Sequence, residues 1–205
     1  MSLLHDDDRK AIAEHIGRVE ATTAAEIVVL TVEQSDAYRD ARALLGAFCA
    51  LTLAMVAHVL FPELSFSQLA CVQLAAFALG WLLSGLPAVL RVIVPRARVA
   101  QSVLARAERE FLEHGIFETR RRAGVLILVS ELEHHVVILG DRGIHEHVHV
   151  EGWEQHVAHI VQAIKQGRAA SGISDVIDAL GATLASVLPR GADDRNELDD
   201  TVKRS

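Results

Sequence analysis

Apolar residues fall along this chain in two different rhythms. Between Ala43 and Phe61 there is no Asp, Glu, Lys or Arg, and between Leu64 and Leu90 there is none either. Only Phe61-Pro62-Glu63-Leu64 interrupts the run. A helix that crosses a bilayer needs roughly 20 apolar residues, because it rises about 1.5 Å per residue through about 30 Å of hydrocarbon. The pattern therefore predicts a helical hairpin over residues 41–95, with spans from Ala43 to Phe61 and from Leu69 to Leu90. Gly85 and Pro87 can kink the second span, which can run on to Val94.

Outside that block the rhythm is amphipathic. Ile12, Ile16 and Val19 predict a helix over 6–21, capped by Asp6 or Asp7. Val99, Val103, Leu104, Ala107 and Phe111 predict another over 96–114, stopped by Gly115. Trp153, Val157, Ile160, Val161 and Ile164 mark a third, closed by Gly167. Val176, Ile177, Leu180, Leu184 and Val187 mark a fourth, capped by Ser174. Three β-branched runs read as strands covered on both faces: Glu26 to Val32, Gly124 to Ser130 and His135 to Leu139. The last two, joined by Glu131 to His134, should pair as an antiparallel hairpin. Amphipathic helices around buried strands imply an α/β fold with a small mixed sheet. The first strand precedes the membrane block and its partners follow it. The expected layout is residues 1–40 and 96–189 as one discontinuous α/β domain, and 190–205 as a polar, disordered tail. Two chain connections then hold that domain at the membrane surface.

Charge sets the orientation. Arg39 and Arg42 precede the first span, and Arg91, Arg96 and Arg98 follow the second, while the intervening turn carries Glu63 and no base. The positive-inside rule puts both termini in the cytoplasm. The acidic, hydrophilic start at Met1 to Asp8 does not read as a signal peptide. A net charge of -7 argues against nucleic acid as a partner. Cys49 and Cys71 lie inside the apolar runs and read as small membrane-buried residues rather than a disulfide or zinc site.

Several stretches taken together resemble the TPM-domain family, in the bacterial membrane version with two spans inserted after the first strand. They are Thr22 to Val28, Ser35 to Arg39, Phe111 to Arg122, Gly124 to Ser130, Val136 to Ile144 and Asn196-Glu197-Leu198. The resemblance covers nearly the whole chain and implies the α/β fold just argued, on a multi-pass protein of the bacterial inner membrane. Some members of that family are described as acid phosphatases and others are linked to repair of photosynthetic complexes, so the resemblance implies no single activity.

Four groups of residues could carry chemistry. Gly140-Asp141-Arg142-Gly143 ends a buried strand, where open α/β sheets place ligands. Its glycines permit positive φ and close approach of a ligand. Asp141 could hold a cation or accept a proton, and Arg142 could hold a phosphate; the alternative is a turn capped by Asp141 with Arg142 in solvent. Glu26 needs a partner at the edge of its strand. Arg120 to Arg122 could supply it, or Glu26 could share a divalent cation, calcium or magnesium, with Asp141. The Arg run could instead touch anionic headgroups. His145-Glu146-His147-Val148-His149 satisfies the H-E-x-x-H zinc pattern, but Gly143 and Gly152 confine any helix there, and a polar His-rich segment is the plainer reading. His156 and His159 read as a solvated helix face, and His58 as an interfacial residue.

Two functions follow. One is a membrane-anchored module that binds a membrane protein partner, or assists assembly and quality control of membrane complexes. The other is a divalent-metal-assisted phosphatase with Asp141, Glu26 and Arg142 at its centre.

Overall fold

The structure is a computed structural model that describes residues 3–146, 151–191, 197–198 and 201–204. The chain forms two compact units, Met1–Ser35 with Ala100–Ser205, and Asp36–Val99.

The first unit is α/β. Strands β1 (Glu26–Val32), β2 (Gly124–Ser130) and β3 (His135–Gly140) form a mixed sheet, completed by a short β4 (Lys203–Arg204) in the order β3-β2-β1-β4. β1 runs parallel to β2 with Glu26 opposite Gly124, and β3 runs antiparallel to β2 with Gly140 opposite Val125. All residues of β1 and β2 are buried. One sheet face, carrying Ile27, Val29, Val125, Ile127, Val136 and Ile138, joins a core with three helices. These are α1 (Asp6–Glu20), α7 (Glu151–Lys165) and α8 (Ala169–Val187), which add Ile12, Ile16, Ile160, Ile164, Ile173, Ile177 and Leu180. Each such side chain stabilises the fold by about 1.5–3 kcal/mol on transfer from water. Val28, Leu30, Leu126 and Leu128 on the other face are equally buried.

Two helix starts differ from expectation. His5 caps α1 and exchanges bonds with Asp8, leaving Asp6 and Asp7 inside the first turn, where acids suit the helix dipole. α8 begins at Ala169, upstream of the expected cap Ser174. Its first turns are small residues: a methyl on Gly172 would lie 2.3 Å from the Ala163 side chain of α7. Close packing between helices replaces the apolar periodicity that marks the rest of α8. The tail also differs from a wholly disordered one, because Lys203–Arg204 pairs in parallel with Leu30 and Thr31.

The second unit holds α2 (Arg39–Leu60), α3 (Phe66–Leu83) and α4 (Pro87–Ile93). Ser65 and Gln68 cap α3 reciprocally. The two long helices touch through glycines: a methyl on Gly80 would meet the Gly46 Cα at 3.0 Å. Close approach of small residues is how helices pack where no water drives them together. Both are long and apolar enough to cross a membrane, and only 11% of each apolar window is buried. The expected second span breaks early. α3 ends at Leu83, the Ser84 hydroxyl donates to the Trp81 carbonyl, and Pro87 opens α4. Proline there lacks an N–H that a first helical turn leaves unpaired anyway.

Candidate functional site

Because β3 runs against β2, the end of β3 lies beside the starts of β1 and β2. Glu26, Gly124 and Asp141 therefore share one end of the sheet: Glu26 pairs with Gly124, and the Asp141 N–H donates to the Gly124 carbonyl at 2.8 Å. Glu26 and Asp141 still stand two strand spacings apart, about 10 Å. The carboxyl ends of the parallel strands, the usual ligand edge, are Val32 and Ser130 at the opposite end.

Asp141 is the N-cap of a one-turn helix, α6 (Arg142–His145), and its Oδ1 accepts the Arg142 N–H at 2.7 Å. Its Oδ2 is buried with no hydrogen-bond partner. Arg142 points to solvent and pairs at 3.4 Å with Glu146. The glycines around them serve packing. Neither Gly140 nor Gly143 has positive φ, contrary to the expectation for this loop. A methyl on Gly140 would lie 2.7 Å from the Trp153 ring, and one on Gly143 would lie 2.5 Å from the Arg121 carbonyl. The space those glycines leave is filled by the chain itself.

Glu26 is buried, and its carboxylate accepts the backbone N–H groups of Glu197 and Leu198 at 3.2 and 3.3 Å. The arginine run does not supply its partner. Arg120 sits 3.7 Å from the Glu197 carboxylate, Arg121 donates to the Pro189 carbonyl at 3.2 Å, and Arg122 to the Phe117 carbonyl at 2.8 Å. The Arg120 N–H also donates to Glu197, at 3.0 Å. Glu197 is thus a clasp that the strand-edge argument missed, although Glu197-Leu198 stood among the stretches that carry the family resemblance. Among the described residues no group of three His, Cys, Asp or Glu side chains could hold a metal ion. Glu26 and Asp141 are not brought together, so they do not fit a shared divalent-ion site.

α6 stops at His145, which stacks on Trp153 with ring centroids 6.2 Å apart. The long helix that the zinc pattern requires does not continue through Glu146. His147 and His149 lie outside the described residues, as does Asn196.

At the opposite sheet end Glu133 is a latch. Its carboxylate accepts the Ser35 N–H at 2.9 Å, the Ser35 hydroxyl at 2.6 Å and the Ser130 hydroxyl. Burial pushes the nearby His135 imidazole below the usual histidine pKa, with the Glu133 charge pulling the other way. The unfolded chain then binds that proton more readily than the folded one. Stability is full above about pH 6.5 and declines as pH falls through it. His156 is shifted downwards for the same first reason, burial, and adds to the trend. Tm is expected to drop between pH 7 and 5.5, and His135→Gln to make that drop shallower; an unchanged slope would refute the assignment.

Helix α8 is bridged to both neighbours by histidines. His159 on α7 meets Asp175 at 3.1 Å, and His15 on α1 meets Asp178 at 2.6 Å. Arg18 contacts the other ring nitrogen of His15 at 2.8 Å, in a polar groove of about 390 Å³ that also includes Thr22 and Gly181. Both ring nitrogens of His15 are engaged, one by Asp178 and one by Arg18. Its only sequence signal was the i, i+3 spacing of His15 and Arg18.

Comparison with known proteins agrees with this architecture. Residues 88–183 match the TPM domain family. The NMR structure of BA42 protein from the psychrophilic bacterium Bizionia argentinensis superposes with a TM-score of 0.63 at 22% identity, covering 100% of this chain and 97% of that one. At that identity the likeness is one of fold. No curated protein matches the chain.

Proposed function

Proceeding from a chain that carries a TPM domain over residues 88–183, we propose a membrane-anchored binding module. The hairpin crosses a bacterial inner membrane twice, and both termini face the cytoplasm. The α/β unit engages membrane-associated proteins during their assembly or quality control. The observation that carries this reading is the placement of an exposed apolar hairpin between β1 and β2, two strands that pair directly in the sheet. Exposed apolar patches this large mark an interaction surface or a membrane, and two adjacent helices of spanning length favour the membrane. The internal use of Glu26 and Asp141, as a clasp acceptor and a helix cap, favours binding over catalysis.

A reporter enzyme active only in the periplasm, fused after Ser205, is expected to stay silent; a bright signal would overturn the orientation.

Among the described residues, the orphaned Asp141 Oδ2 favours the phosphatase reading. Hydrolysis of p-nitrophenyl phosphate by the purified full chain decides it, with and without magnesium or calcium. The expected result is no metal-dependent turnover. Asp141→Ala should lower stability by about 1 kcal/mol through loss of the cap. Metal-dependent turnover abolished by Asp141→Ala would replace the binding module with the hydrolase.

A further inference from the structure

We propose that the arginine-bearing end of the hairpin unit binds the phosphate of anionic phospholipids through Arg39, Arg42 and Arg96. The proposal rests on the membrane reading above. Within residues 36–99 the charges are sorted by end. Glu63 is the sole charge in the turn between the long helices, whereas the other end carries Arg39, Arg42, Arg91, Arg96 and Arg98 with Asp36 and Asp40.

Arg98 takes up both acids. It grips Asp40 with two nitrogens, one bond being 2.8 Å, lies 3.7 Å from Asp36, and sits 5.8 Å above the ring of the buried Tyr38. Those contacts bring the start of α2 beside residues 96–98. The neighbouring acids are therefore spent on one arginine, and the Asp40 carboxylate raises the Arg98 pKa further.

Arg39 and Arg96 are exposed, and neither side chain makes a hydrogen bond or ion pair among the described residues. The side chain of Arg42, half-buried one turn into α2, makes none either among the described residues, and its Nε is shut off from solvent without an acceptor. A buried donor on a charged group is costly until an acceptor reaches it. A guanidinium fork matches the oxygens of a phosphate, and the cytoplasmic leaflet presents phosphates beside the ends of a spanning hairpin.

Two measurements test this on the full chain. Carbonate extraction from neutral phosphatidylcholine liposomes tests the membrane reading alone: wild type and Arg39→Gln/Arg42→Gln/Arg96→Gln should both be retained. If wild type is released, the membrane reading fails, and the proposal with it. Titration of the detergent-solubilised chain with short-chain phosphatidylglycerol tests the site. Each surface arginine contributes roughly fivefold, so the triple variant should lose about 100-fold in affinity. Short-chain phosphatidylcholine should bind far more weakly than phosphatidylglycerol. A charge-matched Lys10→Gln/Arg109→Gln/Lys165→Gln variant should bind as wild type. Wild-type affinity in the arginine variant, or equal loss in the control, would overturn the site while leaving the membrane reading intact. Displacement of the lipid by an equal concentration of inorganic phosphate would overturn the lipid assignment in favour of a free anion.

Discussion

Gly124→Ala is expected to destabilise the α/β unit by about 3 kcal/mol, the upper range for forcing a group into a packed core. The added methyl would sit 2.2 Å from the Ile116 carbonyl oxygen and 2.6 Å from its side chain. Neither obstacle can retreat easily. Ile116 is fully buried, and the turn that carries it is closed by the Glu118 N–H donating to the Gly115 carbonyl at 2.8 Å. Gly115 adopts φ 63, a conformation only glycine holds without strain. Gly124 cannot move the other way, because it pairs with Glu26 and its carbonyl receives the Asp141 N–H. One methyl thus disturbs three segments that meet at this sheet end. Gly167→Ala is the comparison: φ is 71 but nothing lies within 4 Å, so the cost is backbone strain alone, about 1 kcal/mol. Thermal unfolding of both variants, followed by near-ultraviolet circular dichroism, checks the difference. Equal losses would mean that the close approach at Gly124 is not real.

That glycine also shows where the sequence was readable and where it was not. The apolar, β-branched runs of β1 and β2 were legible to the residue, since Glu26 and Glu33 bracket the first and Gly124 and Glu131 the second. The antiparallel pairing of β2 and β3 was legible because four residues can join strands in no other way. The Glu26 partner was not. Glu197 is far away in sequence, and periodicity carries no information about which distant backbone N–H reaches a carboxylate. Proximity in sequence pointed to Arg120–Arg122, which in fact turn towards Glu197, Pro189 and Phe117. β4 was invisible for a related reason: Lys203 and Arg204 join the sheet through backbone groups that every residue possesses. The antiparallel course of β3, which its four-residue connection already requires, puts its carboxyl end and Asp141 at the amino end of β1 and β2. The carboxyl edge of the parallel pair is the Ser130 end, where Glu133 is already engaged by Ser35 and Ser130.

The hairpin makes the sharpest prediction, because one substitution has opposite outcomes in water and in lipid. Leu51 near the middle of α2 is 68% exposed, and Leu74 near the middle of α3 is 72% exposed. If these helices were bathed in water, Leu51→Asp and Leu74→Asp would change stability by about 0.5 kcal/mol or less, as surface substitutions do. In a bilayer an aspartate at a span centre costs about 2.5–3.5 kcal/mol beyond the loss of leucine, so the double variant should fail to insert. The helices cannot hide either residue by rotating, because Gly46 and Gly80 fix the faces that touch. The measurement is the fraction of full-length chain retained in membranes after carbonate extraction, compared with Leu51→Ile/Leu74→Ile. Retention is expected to fall for the aspartates and to hold for the isoleucines. An aspartate variant that stays in the membrane as well as wild type would remove the bilayer from those two helix faces. The anchor would then have to be replaced by a protein partner covering the same leucines.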